Sequence, residues 1–475
     1  MQTLKLGKIA CIVVVFCVAA VGASQAQTFT TLVRFNGPPH PANPGQLLQG
    51  IDGNIYGITL YGGKNGTSST GGTLFRMTPA GKVSVLYNFC ALANCADGSL
   101  PNGLIQTANG KFYGTTALGG ASDASICSNV GIGCGTFFKI VPGQPPTALH
   151  GFCSQANCND GFDPWGAPLA LGVNGNFYGT TKFGGNLNGN NNCAWGCGTI
   201  FEITPTGKFA TVHVFCSTAS CPEGSDGNGL TRFSDGNFYG ATLASLSGNF
   251  GGGLYRITPG GDLRVLYSFD PESNGDAEPT PPIQAADGTI YGTVLSGGAN
   301  GSGFFYKMVG GKLITLYSFC ALANCADGGG PNQVIQGSDG NFYGTTLFGA
   351  NNNAVCFATG CGTLFQITPT GTLTTLHSFC SETNCADGGA PKGALIQATS
   401  GIFYGATSAG GGSSNCGSFG CGTIFSLSLS PSVEANRNFG SAGQTVVILG
   451  NNLAGTTGVR FNGTPAAFKV ESDLH

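Results

Sequence analysis

The sequence predicts an all-β chain: a seven-bladed β-propeller of four-stranded antiparallel blades, its ring closed by the N-terminal strand, followed by a partial Ig-like β-sandwich. Three observations predict it. An aromatic residue or isoleucine followed by Tyr-Gly recurs seven times, with the tyrosine at 56, 113, 178, 239, 291, 343 and 404. Four short apolar segments accompany each tyrosine in a constant order. The seventh set lacks its fourth segment, and a matching one, Thr28 to Phe35, stands near the start of the chain.

Each segment is short, rich in β-branched and aromatic residues, and bounded by Gly, Pro, Asn or Asp, which marks strands. In the sixth repeat they are 333–336, 341–346, 362–368 and 374–379. Between segments one and two stand Asp52-Gly53, Asn109-Gly110, Asn174-Gly175, Asp235-Gly236, Asp287-Gly288, Asp339-Gly340 and Ser400-Gly401. These predict type I′ hairpins, whose two central residues need positive φ. Asp52, Asp235, Asp287 and Asp339 are read as turn formers. Pro-x-Gly, as at Pro79-Ala80-Gly81, predicts a second reversal between segments three and four. A four-stranded meander cannot bury both faces alone, so the seven must stack radially. Connections in a meander alternate between its two ends. The short turns therefore share one face of the disc, and the long 2–3 loops and blade-to-blade connections share the other. Binding residues concentrate on such loops.

Lys5 and Lys8 precede an uncharged apolar stretch from Ile9 to Val21, and Ser24-Gln25-Ala26 offers small residues for cleavage after Ala26. This predicts a signal peptide over 1–26 and an exported protein, extracellular or at the cell surface. The propeller is expected over 27–430. From Pro431 the texture changes, and 431–475 is expected to form a truncated Ig-like module, since a whole sandwich needs about twice that length.

The cysteines come in close pairs. Five follow fourth segments: Cys90/Cys95, Cys153/Cys158, Cys216/Cys221, Cys320/Cys325 and Cys380/Cys385. Four lie in 2–3 loops: Cys127/Cys134, Cys193/Cys197, Cys356/Cys361 and Cys416/Cys421. In an exported chain these read as local disulfides that pin Gly-rich loops with little core of their own. The rival is a four-cysteine zinc site in blades 2, 3, 6 and 7, each pairing its 2–3 loop with the connection that enters the blade. Blade 4 carries Cys216/Cys221 without a second pair, which argues for local bridges, with cross-loop pairing still open.

The two tryptophans, Trp165 and Trp195, both fall on the long-loop face of blade 3. With Asp160, Asp163, Asn191 and Asn192 nearby, they would suit a sugar, which needs ring stacking and a few directed hydrogen bonds. The competing reading has both rings packing against the Cys153/Cys158 and Cys193/Cys197 bridges. Asp97, Asp327 and Asp387 hint at calcium, though single aspartates in separate loops also form Asx-turns; no other cofactor is expected. His150, His213 and His377 fall inside fourth segments, where packing is their expected role. No catalytic motif is found.

Composition narrows the function further. A net charge of −3, with 9% charged residues, gives no grip on nucleic acid. No apolar run reaches the ~18 residues that cross a bilayer. The unit Gly-Asn-Phe-Tyr-Gly-Thr-Thr, then Gly-Thr-Leu/Ile-Phe-x-Ile-Thr-Pro-x-Gly and Leu-Tyr-Ser-Phe, resembles the GloVer tandem repeat of secreted bacterial proteins over about 45–430. That resemblance implies an exported surface protein and no particular activity. Blade 5 departs from it, with Gly303-Phe-Phe-Tyr-Lys-Met-Val and no Thr-Pro. Ser441 to Leu453 and Val459 to Phe468 resemble the first half of an IPT/TIG domain. The expectation is a monomeric, non-catalytic binding or structural propeller that recognises carbohydrate, or else a surface protein, with a glycan-active enzyme as the third reading.

Overall fold

The computed structural model of the chain describes residues 27–429, except 121–126, 128–131, 166–167, 186–192, 194, 218–220, 222, 244–251, 270–276, 351–355 and 357–358. Beyond 429 it describes 432–435, 448–451, 459–461, 464–466 and 469. The expected signal peptide at 1–26 lies outside the described residues. So does most of the expected Ig-like segment, where two strand pairs are seen: Ser432–Ala435 with Ile448–Asn451, and Val459–Phe461 with Thr464–Ala466.

The chain is a seven-bladed β-propeller of four-stranded antiparallel sheets. Blade 1 comprises Pro41–Gln49, Ile55–Gly62, Thr73–Met77 and Val83–Asn88; blade 2, Ser99–Gln106, Phe112–Leu118, Thr136–Ile140 and Thr147–Gly151. Blade 3 comprises Ala170–Leu171, Phe177–Thr181, Thr199–Ile203 and Phe209–Val214; blade 4, Ser225–Arg232, Phe238–Leu243, Gly253–Ile257 and Leu263–Ser268. Blade 5 is Ile283–Gln284, Ile290–Val294, Phe304–Val309 and Lys312–Ser318. Blade 6 has a first strand in two pieces, Gly329–Pro331 and Ile335–Gln336, followed by Phe342–Phe348, Thr363–Ile367 and Leu373–Ser378. Blade 7 is Gly389–Gln397, Phe403–Ala409 and Thr423–Ser428, and Thr28–Arg34 pairs with its last strand as a fourth. First strands lie innermost, contacting first and second strands of adjoining blades, while fourth strands form the partly exposed outer rim.

The recurring tripeptide is an inter-blade joint. Successive side chains of a strand point to opposite faces. Its first residue therefore faces the preceding blade and its tyrosine the following one. Tyr56 meets Phe112, Tyr113 meets Phe177, Tyr178 meets Phe238, Tyr291 meets Phe342 and Tyr343 meets Phe403, at centroid distances of 4.2–4.6 Å. The glycine makes room for the third-strand ring: a Cβ on Gly344 would lie 2.7 Å from Phe365. The core is thus a series of layers between blades, as where Tyr343 and Leu364 pack with Leu395, Phe403 and Phe425.

A second joint lies at the end of each blade nearest the long loops. The glycine opening the third strand meets a proline in, or leading into, the next blade's first strand: Gly72 with Pro101, Gly135 with Pro164, Gly252 with Pro279, Gly303 with Pro331, Gly362 with Pro391 and Gly422 with Pro44. Only between blades 3 and 4 does Gly227 replace the proline.

The hairpins differ from expectation. The N–H of Gly53 donates to Gly50 O, and that of Gly50 to Asn54 O. The loop is therefore three residues, with only the glycine at positive φ, in place of a two-residue type I′ turn. All seven 1–2 turns close this way, so the residue before glycine escapes the left-handed region. The turn aspartates do cap these loops. Asp52 accepts from Asn54 N–H and also from the Tyr56 hydroxyl, a bond repeated by Asp235 with Tyr239 and Asp339 with Tyr343.

Gly303→Ala tests the joint. A Cβ there would collide with the Val294 carbonyl and lie 2.5 Å from Pro331 Cδ, at a φ of +91°. Gly53→Ala, at +77° in open space, should cost only the left-handed penalty of about 1–2 kcal/mol. Gly303→Ala should cost about 1–3 kcal/mol more, read as a larger fall in urea midpoint at unchanged m-value.

Candidate functional site

All nine predicted local bridges form, each within a loop on the long-loop face. The five bridges after fourth strands belong to one device, Cys-x4-Cys-x-Asp/Glu-Gly. Both cysteines have positive φ in each, as at Cys90 (61°) and Cys95 (52°), which a non-glycine residue holds only when its surroundings over-determine it. The carboxylate supplies that determination. Asp97 accepts from the Tyr87 hydroxyl at 2.8 Å and from the Ala91 and Leu92 N–H groups at 2.9 and 3.0 Å. Asp327 repeats this with Tyr317, Ala321 and Leu322. In Asp160 and Asp387 the ring is His150 or His377, with Nε2 3.0 Å from Oδ2, and Ser154 or Ser381 adds hydroxyl and N–H donors. Glu223 accepts from Cys216 N–H, with His213 Nε2 at 3.5 Å.

The following glycine completes a clip. A Cβ on Gly98 would lie 2.6 Å from Thr116 and 2.9 Å from Thr136, whose hydroxyls bond each other at 2.9 Å in the next blade. Each loop thus holds the outer strand of one blade through its acid and seats against the next through its glycine.

The bridges also correct the expectation that their loops have little core of their own. Cys134 and Cys158 are buried in the apolar layer between blades 2 and 3, and Cys197, Cys216 and Cys221 in the layer between blades 3 and 4. Cys356, Cys361, Cys380 and Cys385 are buried between blades 6 and 7, and Cys421 between blades 7 and 1. Cys95 is buried as well. A bridged cysteine is a small apolar group, and these loops fold back over the seam between two blades, so the sulfur extends the core beneath them. Cys158, Cys221 and Cys421 are therefore core residues as well as loop pins, and none of them faces a ligand at the surface.

The acids correct two further expectations. Asp160 is fully buried and saturated by four bonds, so it is not a ligand-facing residue. Asp97, Asp327 and Asp387 are likewise buried in separate loops with their oxygens engaged, which leaves none of them to gather round calcium. The zinc grouping is also corrected: 2–3 loop cysteines meet the connection leaving their blade. Cys127 and Cys134 meet Cys153, while Cys193 and Cys197 meet Cys216.

The tryptophans separate. Trp165 packs at the inner rim against Leu60, Leu100 and Ala117 of blades 1 and 2. Trp195, 55% exposed, stands inside the Cys193–Cys197 loop. Asn191 and Asn192 lie outside the described residues.

Asp163 gathers a different set. Its carbonyl accepts from Lys182 N–H at 3.0 Å, and its N–H donates to Cys134 O. One blade on, Asp226 occupies the same place, its N–H donating to Cys197 O, with φ of 58° against 53° at Asp163. Burial pushes both carboxyls up to about 6; Lys182 opposes the rise, and Asp163 adds to it at Asp226. The equal offset of Asp163 and Asp226 from Asp160-Gly161 and Glu223-Gly224 was a signal that could have found Asp226. Lys182 had none.

The two acid types should respond oppositely to pH. Burial pulls Asp160 and Asp387 upward, but the bonds from histidine, serine and backbone outweigh it and hold both below the ordinary 3.8. Their stabilisation is present above that value and lost as pH falls through the depressed pKa. Asp226, 5% exposed, is raised, so ionising it costs stability, a cost that disappears as pH falls from about 6 towards 3.8. Asp226→Asn should therefore stabilise at pH 7 by on the order of 2 kcal/mol and be neutral near pH 3.5. Asp387→Asn should destabilise at pH 7. Thermal melts at both pH values check both signs.

Among the described residues no helix is long and apolar enough to cross a membrane. No curated protein sequence matches the chain. Among solved structures, the extracellular domain of a protein described as a hybrid two-component system from B. thetaiotaomicron is 10% identical, with a TM-score of 0.47 over 85% of this chain and 40% of that one. The chain thus spans less than half of that relative. The PQQ-bound aldose sugar dehydrogenase from Streptomyces coelicolor is 13% identical, with a TM-score of 0.40 over 84% and 98%. The Gloeobacter/Verrucomicrobia repeat model matches residues 21–231, 65–279 and 225–466, nearly the whole chain. The chain belongs to the Gloeobacter/Verrucomicrobia repeat family.

Proposed function

We propose that this is an exported, non-catalytic binding propeller whose ligand surface is the long-loop face, with carbohydrate as the ligand. The observation that carries this reading is Trp195, held more than half exposed in a loop closed by its own disulfide. An aromatic ring fixed in advance offers a stacking surface without the entropic cost of ordering a loop. Nine disulfides, together with the leader-like residues 1–26, support export. The strand Thr28–Arg34 closes the ring in this reading: Arg34 reaches Ala386 O and Glu382 in the blade 6–7 connection, and Phe29 stacks on His377 at 3.7 Å. Residues 431–475 are taken as the start of an IPT/TIG-type module on their sequence alone.

A second reading is a surface protein partner. Leu92, Leu322 and Phe419 are also exposed inside bridged loops, and with Trp195 they are spread around the face, where one broad partner would engage them all. The raised pair Asp163 and Asp226 is what favours a glycan-active enzyme.

Intrinsic fluorescence during glycan titration separates these readings, because Trp165 and Trp195 are the only tryptophans. Carbohydrate binding predicts a saturable shift that Trp195→Ala abolishes and Leu322→Ser leaves intact. A flat response across the glycan panel would sink it in favour of the protein partner. Release of reducing ends, lost in Asp163→Asn, would replace it with the enzyme.

A further inference from the structure

Cysteine sulfurs meet wherever a 2–3 loop pair abuts the pair in the connection leaving the same blade. In blades 2 and 3 three sulfurs gather; in blade 6 all four do. The Sγ atoms of Cys356, Cys361, Cys380 and Cys385 lie within 4.8 Å of one another, and all four residues are buried. Pinning a loop does not require this arrangement. Cys90–Cys95 and Cys320–Cys325 close their loops where blades 1 and 5 carry no 2–3 loop cysteines at all.

We propose that the four blade 6 sulfurs, once reduced, form a tetrathiolate site for a thiophilic cation of the Zn2+ type. Four thiolates at ~2.3 Å from a tetrahedral zinc stand roughly 3.8 Å apart, inside the observed spacing. Backbone contacts shape the site whatever the state of the sulfurs: Cys380 N–H closes the connection on itself by donating to Gly388 O at 2.9 Å, and Ala390 N–H joins it to the 2–3 loop by donating to Cys361 O at 2.8 Å. Gly389 walls the cluster so closely that a Cβ would lie 2.6 Å from Cys356 Sγ. The chemistry balances with an external thiol or phosphine as reductant. It supplies four electrons to break two S–S bonds and is itself oxidised, and the four thiols release their protons as the cation binds. In the oxidised state each loop is tied to itself. The metal state ties the 2–3 loop to the connection, so the site converts local pins into an inter-loop clamp. This inference is independent of the carbohydrate reading.

The test reduces the purified full chain with a phosphine under nitrogen, adds Zn2+ alone, removes free metal by gel filtration and measures retained zinc. The reduced chain should retain a zinc that the oxidised chain does not. Cys361→Ser and Cys385→Ser should each lose it, while Cys90→Ser and Cys320→Ser keep it. Co2+ in place of Zn2+ should give the intense visible bands of a tetrahedral thiolate complex, which Cys361→Ser weakens; this readout does not depend on activity. Zinc retention unchanged by Cys361→Ser would overturn the assignment. So would a reduced chain, folded or not, that takes up no metal.

Discussion

The propeller depends on how closely one blade can approach the next. At the end nearest the long loops, six of the seven boundaries set a glycine against a proline ring, with no side chain between them. Midway along the blade the gap is wider, and the Tyr of one blade's tripeptide and the Phe of the next blade's fill it from the two sides. One strand thus serves two interfaces through simple alternation. This explains why the tripeptide repeats when the loops around it do not: its three positions face a previous blade, a next blade and a ring in their own sheet.

The same approach carries through to the face that would meet a ligand. The acid-glycine step of each bridged loop couples the outer strand of one blade to the buried threonine pair of the next. The disulfide is one part of this clip, beside a carboxylate that accepts three bonds at Asp97 and Asp327 and four at Asp160 and Asp387. A chain with 9% charged residues places several of its few acids in such buried contacts, because a carboxylate accepting several N–H and O–H donors offsets its own desolvation.

Asp163 and Asp226 are the exceptions. They sit where other blades place Asn43, Leu100 or Ala390 in the same left-handed conformation, so the backbone does not require an acid there. Neither carboxylate has a hydrogen-bond donor among the described residues. Burial without donors raises their pKa, whereas Asp160 and Asp387, buried with donors, are held below the ordinary value. Identical side chains a few residues apart, such as Asp160 and Asp163, thus have opposite electrostatic character.

By itself the sequence determined the seven-fold repeat, the order of strands and short turns within each blade, and the close pairing of the cysteines, while the structure decided that each pair bridges to itself. The repeat, the order and the pairing follow from period-two alternation, turn residues and short cysteine spacing, which are local properties of the chain. It misplaced the hairpin type because Asp-Gly fits both a two-residue and a three-residue loop; the bond from Gly53 to Gly50 decides between them. The tertiary structure alone decided what meets across blades. The 2–3 loop and the connection leaving strand 4 emerge at the same end of a blade and fold together over its seam with the next, which gathers the blade 6 sulfurs and buries Cys158, Cys221 and Cys421. Trp165 packs inward against Leu60, Leu100 and Ala117, while Trp195 stays exposed on the loop face. The two rings part because Trp165 lies in the connection leading to the innermost strand and Trp195 in a 2–3 loop, and a one-dimensional pattern does not record which neighbours each segment meets.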